Sequence, residues 1–310
     1  MNRLKVLKKI ISVVIITIII YAVFLFMSDL DKISDKIFNF KLEFLPIIIG
    51  LVVFSWIISY SRWNILLKNQ NIHIPHSLNF QIFLIGGALG ITPGKIGELF
   101  KSQILKEKFN IPRTKTAPLF IVEKFLDLVS AMIVTLIGIW FIPEIGYLAI
   151  VGLMISVLLF KILTSKKFFN QTLNFLNKIK FLKKYLEPLS SSHEILSKTL
   201  YSKKMFLLLI LSFFYWIIIG CAAFFVIEGF GFSIGSILNI ISTYSSSLVI
   251  GALSFIPGGI GIAEGSLIGL LTFQGIDISE AIVIVVLIRI FTLWFSTIKG
   301  FIALKTSRSL

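Results

Sequence analysis

The stretch "GALSFIPGGIGIAEG", residues 251–265, decides how the chain is read. It lies within one of the most apolar parts of the sequence. Pro257, Gly258 and Gly259 interrupt what would otherwise be a membrane helix, and its single charge, Glu264, follows the interruption. A helix broken at membrane depth exposes backbone groups that lipid cannot satisfy, so protein or a water-filled cavity must cover the break. A carboxylate beside it needs a partner or a polar pocket.

A second stretch has the same form. "GALGITPGKIG" (87–97) matches "GALSFIPGGIG" (251–261) at seven of eleven positions. Upstream, "FSWII" (54–58) is similar to "FYWII" (214–218), and downstream each copy carries an intramembrane cation, Lys124 and Arg289. Both copies read as span, broken segment, span.

The rest of the chain supports membrane insertion. It is 56% hydrophobic with a mean hydropathy of +0.96, and several apolar runs reach the ~20 residues that cross a bilayer. The expected spans are about 10–27, 44–66, 118–141, 145–163, 205–227 and 280–304. Two broken stretches, 78–108 and 236–273, form re-entrant or paired short segments. The first run, Ile10 to Met27, follows Arg3, Lys5, Lys8 and Lys9 and lacks a small-x-small cleavage site, which marks a retained signal anchor. Cys221 is the only cysteine, so no intrachain disulfide can form.

The net charge of +15 does not point to nucleic acid, because the basic residues gather in loops between apolar runs. Loop 164–204 holds nine lysines against Glu187 and Glu194 and reads as a cytoplasmic loop. Lys95, Lys101, Lys106, Lys108, Arg113 and Lys115 put both ends of the first broken stretch on the same side. The second stretch, flanked by Glu228 and Asp277, opens outside. Both termini are then cytoplasmic and the two copies have opposite orientation, an inverted-topology repeat of the kind found in many transporters.

The expected architecture is an all-α polytopic membrane protein forming one domain over 1–310. An anchor and outer loop occupy 1–43, and the first repeat 44–141. A connecting helix and basic loop cover 142–204, and the second repeat 205–304.

Glycine-rich breaks create helix N-termini inside the bilayer, which suit an anionic group such as a phosphate. The candidate lipid-headgroup site comprises Arg62, Pro93, Gly94, Lys95, Gly97, Glu98, Glu123, Lys124, Asp127, Pro257, Gly258, Gly259, Gly261, Glu264 and Arg289. Cations would hold phosphate, while carboxylates would meet an amine or complete the network. The competing reading makes the same charges structural pairs. His73 and His76 flank Pro75 in a loop without an obvious third ligand, so no metal is assigned. Neither a cofactor nor a catalytic residue is assigned. Tyr244 and Ser245–Ser247 would either line a cavity or bond across helices.

These motifs resemble the lysylphosphatidylglycerol synthase transmembrane region, a flippase-like membrane family. The resemblance rests on "RW" (62–63), "TPGKIGELFKSQIL" (92–105), "VEKFLDL" (122–128), "IPGGIGIAEGS" (256–266), and Arg289 with Trp294 and Gly300. Members often carry Arg where Lys95 and Lys124 stand; the charge is kept but the bidentate fork for phosphate is not. In the synthases the region precedes a soluble aminoacyl transferase domain, and this sequence stops at Leu310. The resemblance therefore implies lipid translocation in the plasma membrane, with anionic membrane lipids as partners. Two alternatives stay open: a membrane-embedded transferase, and an accessory subunit of lipid-linked glycosylation or envelope enzymes.

Overall fold

The computed structural model describes residues 40–178, 192–232, 235–254 and 256–306. The expected anchor at 10–27 lies outside them. Every regular element among the described residues is helical.

A short 3-10 turn leads into α1 (Leu45–Asn69), which has Pro46 in its first turn. Proline suits that place, where its missing N–H has no intrahelical acceptor. Next come α2 (His76–Ala88), 3-10 segments over Leu89–Ile91 and Pro93–Leu99, and α3 (Phe100–Phe109). The long α4 (Arg113–Ile137) and α5 (Pro143–Thr164) follow. The lysine-rich connection is not a plain loop. It contains α6 (Lys166–Leu176), which buries Phe169 and Leu173, and α7 (His193–Leu200).

The second half opens with α8 (Met205–Gly229). Then come α9 (Ile237–Leu253), a 3-10 turn at Pro257–Gly259, and α10 (Ile262–Phe273). The last span is α11 (Ile278–Arg289), a π-helical turn (Ile290–Trp294) and α12 (Phe295–Thr306) in continuous succession. The ends are set locally: Ser236 and Asp277 cap α9 and α11 with their side chains.

Among the described residues, four helical stretches are long and apolar enough to cross a membrane: Leu42–Asn69, Pro143–Thr164, Met205–Gly229 and Ile278–Thr306. α4 is as long as α1 but carries Arg113, Lys115, Glu123, Lys124 and Asp127. The outward faces are apolar. On α5, Tyr147, Val151, Met154 and Leu158 are exposed, whereas Gly146, Ala149, Gly152 and Ser156 face inward. Large apolar residues outside and small ones inside are the reverse of a soluble helix and fit packing in lipid.

The packing is reciprocal between the halves. α1 lies against α8, α4 against α9, and α12 against α2. The last contact is close: a Cβ on Gly300 would run into the carbonyl of Leu84 and the Cβ of Ala88. Two apolar cores result. One joins Ile48 and Val52 of α1 with Met132 and Val134 of α4 and the inner faces of α8 to α11. The other joins Trp63, Leu66 and Leu67 of α1 with α2, α3, the first half of α4 and Leu208 of α8. Along α1, α4 and α8 alike, the polar positions Arg62, Asp127 and Ser212 fall between the residues given to the two cores.

Candidate functional site: a charged seam beside two helix breaks

Each break is built by its own sequence. Before Pro93, Thr92 is extended (φ −71°, ψ 158°), as a residue preceding proline must be. Its hydroxyl donates to the Leu89 carbonyl (2.8 Å) and accepts from Gly97 N–H (2.6 Å), stapling the turn shut. A side chain at Gly97 would strike Leu89 and Thr92, so this glycine is needed for close approach. In the second break, Gly258, Gly259 and Gly261 have φ of 63°, 68° and 87°, in the left-handed region that glycine adopts freely. The turn at Pro257–Gly259 packs directly against both 3-10 segments of the first break. The two breaks, 164 positions apart in sequence, therefore meet.

Beside them runs a chain of six charges that alternate in sign. Arg62 Nη1 donates to Asp127 Oδ1 (2.5 Å) and to Ser212 Oγ (2.6 Å), joining α1, α4 and α8. Asp127 Oδ2 lies 3.4 Å from Lys124 Nζ, which also bonds Glu98 Oε1 at 3.0 Å. Glu98 Oε2 stands 3.8 Å from Lys101 Nζ, and Lys101 ends the chain on Glu123 Oε2 at 2.8 Å. The Lys101 ammonium also sits over the Trp63 ring, 4.1 Å from its centroid. Trp63 is held in turn by Asn79 Oδ1 (3.0 Å).

A separate pair lies in the second half. Arg289 Nε meets Glu264 Oε1 at 2.7 Å, and Glu264 Oε2 accepts the Gly261 N–H at 2.6 Å. This carboxylate thus satisfies the N–H of Gly261, the N-cap of α10, as well as the arginine. The pairing mirrors the first half: Glu98 with Lys124, Glu264 with Arg289, each a carboxylate just after a break bound to a cation of the following span. Arg289 also directly precedes the π-helical turn, a feature frequent at functional sites.

The charged candidates are thus accounted for. Arg62, Glu98, Glu123, Lys124 and Asp127 come together, Glu264 and Arg289 pair apart from them, and Lys95 stands exposed on the first break. Three contributors were missed. Lys101 read as a loop cation but is buried on α3 with only 2% of its side chain exposed; its i, i+3 spacing from Glu98 was the available signal. Ser212, an acceptor for Arg62, carries no charge or motif that marks it in the sequence. Lys299 lies 2.9 Å from the Trp56 ring centroid, between α12 and α1.

The serine run also reads differently in three dimensions. Ser246 and Ser247 donate to carbonyls of their own helix, at Ser242 and Tyr244, rather than across helices. The side-chain hydrogen bonds from α9 to the end of α10 come instead from Asn239 and Thr243 with Gln274, the residue just past α10. His76 opens α2, and its Nδ1 lies 2.9 Å from the Tyr60 hydroxyl.

Apolar outward faces, four spanning-length helices and charges enclosed between packed helices define a polytopic integral membrane protein. The chain belongs to the lysylphosphatidylglycerol synthase TM region family, which matches residues 10–300. It is similar to a UPF0104 membrane protein of Methanocaldococcus jannaschii, 27% identical over 214 residues, covering 67% of this chain and 88% of the relative. It is also similar to a UPF0104 membrane protein of Pyrococcus horikoshii, 23% identical over 326 residues, covering 96% and 97% of the two chains.

Proposed function

We propose that this protein is a flippase-like lipid transporter that moves an anionic or modified phospholipid headgroup between leaflets, past the place where the two breaks meet. One observation carries the reading: the two Pro-Gly breaks pack on each other beside a buried seam of paired charges. The limbs that reach them are short. α2, α3, α9 and α10 have 13, 10, 17 and 12 residues, or about 20, 15, 26 and 18 Å of helix at 1.5 Å per residue. Each falls short of the ~30 Å hydrocarbon core, which fits re-entrant limbs entering from opposite sides. The reciprocal packing of α1 on α8, α4 on α9 and α12 on α2 fits an inverted repeat. Loop charge favours cytoplasmic termini, and the plasma membrane is the location that the family resemblance implies.

The chemistry follows from the seam. Lys124 is its most accessible cation, with 26% of its side chain exposed, and is shared by two carboxylates. A phosphate arriving at Lys124 can displace both without stranding either: Asp127 keeps Arg62, and Glu98 keeps Lys101. Arg62 and Arg289 are committed to tight buried pairs and hold the bundle together.

The test is lipid movement in proteoliposomes containing lipids labelled on an acyl chain. Lys124→Met leaves every carboxylate with a cation, so the variant should fold and insert normally while losing movement of anionic lipids. Undiminished movement in folded Lys124→Met protein would overturn the proposed path.

A further inference from the structure

Lys95 has two unusual properties. Its backbone is left-handed, with φ of 56°, although it is not glycine. The aligned residue of the second break is Gly259, with φ of 68°. An L-residue with a long side chain is disfavoured there, and glycine is the residue that relieves the strain. Lys95 is also a cation of the break region for which no carboxylate partner occurs among the described residues; its side chain is exposed. Yet it stands within electrostatic reach of Lys124, Glu98, Asp127 and Arg62.

Charge bookkeeping gives these facts a meaning. Arg62, Lys101 and Lys124 are balanced by Asp127, Glu98 and Glu123, so the seam is neutral. Arg289 and Glu264 balance each other. Among the described residues, Lys95 therefore adds one positive charge that the carboxylates of the seam do not balance. An unmatched ammonium at the edge of a neutral seam attracts one negative charge and gives a neutral headgroup no net attraction, so the favoured occupant is the one that brings the total to zero.

We infer that Lys95 makes the site selective for a singly charged phosphodiester headgroup, over zwitterionic headgroups and over phosphomonoester or diphosphate groups of higher charge. This rests on the transport reading for its route across the membrane, but the binding preference can be measured by itself. A zwitterion leaves Lys95 uncompensated, whereas a dianion overshoots. One phosphodiester oxygen would face Lys95 and another Lys124, while Glu98 passes toward Lys101, whose Nζ is already 3.8 Å away. Phosphatidylglycerol and polyprenyl phosphosugars share this headgroup chemistry.

The experiment uses the full chain and the variant Lys95→Gly, chosen because glycine suits the backbone there. Binding is read in detergent as the rise in Tm on adding soluble short-chain phosphatidylglycerol, phosphatidylcholine, phosphatidic acid or a short polyprenyl phosphosugar. Transport is read in proteoliposomes with acyl-labelled forms of the same lipids. Wild type should prefer a monoanionic phosphodiester by about tenfold in affinity, and Lys95→Gly should abolish that preference while its unliganded Tm stays at or above that of wild type. Whichever of phosphatidylglycerol and the phosphosugar is bound identifies the source. Equal binding of all headgroups, or a preference unchanged in Lys95→Gly, overturns the inference even if lipids move. Selective binding with no movement upholds the inference and overturns the transport reading. No binding of any of these lipids overturns the inference. A lower unliganded Tm in Lys95→Gly shows Lys95 to be structural and overturns it too.

Discussion

Replacing Lys101 with methionine, which has similar length but no charge, asks whether the seam is dry. The Lys101 and Glu123 side chains are each 2% exposed and 2.8 Å apart. At that distance, with an effective dielectric constant of about 20, their attraction is about 6 kcal/mol. Desolvation offsets much of this in the intact pair, but removing one partner leaves Glu123 buried and unpaired. That typically costs about 3–5 kcal/mol. The contact with the Trp63 ring is lost as well. At about 2.1 cal/mol/K per residue, a chain of 310 residues shifts by about 1.5 °C per kcal/mol, so Lys101→Met should lower Tm by about 5–8 °C. The double variant Lys101→Met with Glu123→Met should recover most of that loss, because a buried ion pair is replaceable by apolar residues of similar volume. Glu98 keeps Lys124 in both variants. The assay is thermal unfolding of the purified protein in one detergent, with all four proteins of the cycle measured side by side. A drop below about 2 °C for Lys101→Met, or a double variant as unstable as the single, would refute the account: the pair would then be solvated.

Two more predictions test what surrounds the seam. A side chain at Gly86 would collide with the aliphatic stem of Lys101, whose Cδ would lie 2.8 Å away, so Gly86→Val should displace Lys101 and lower Tm about as much as Lys101→Met; an unshifted Tm would show that Lys101 is not held in that slot. Ser212→Ala removes an acceptor from buried Arg62 and should destabilise by about 1.5–3 kcal/mol, readable by the same unfolding assay; when Arg62 is already methionine, the added loss should fall below about 1 kcal/mol.

Much was legible without coordinates, and for local reasons. Membrane insertion follows from apolar runs, since composition alone sets the free energy of entering lipid. The breaks follow from Thr92-Pro93-Gly94 and Pro257-Gly258-Gly259, because proline and glycine restrict or free the backbone wherever they stand. Intramembrane charges could be singled out because each is costly by itself. Their partners could not, because a partner is set by packing: Arg62 and Asp127 are 65 residues apart, and Arg62 and Ser212 are 150 apart.

Lys101 shows the division most plainly. In sequence it is one of several lysines after a break, and a lysine's solvation depends on what covers it. Trp63 from α1, the slot at Gly86 in α2 and Glu123 from α4 cover it only once three helices have packed. Lys95, six residues earlier, reads the same way in sequence yet ends exposed on a left-handed turn, with no carboxylate paired to it among the described residues. The sequence by itself determined that charges and broken helices would share the membrane. Only the tertiary structure decided which charges cancel, since cancellation depends on distances of a few ångströms between elements far apart along the chain.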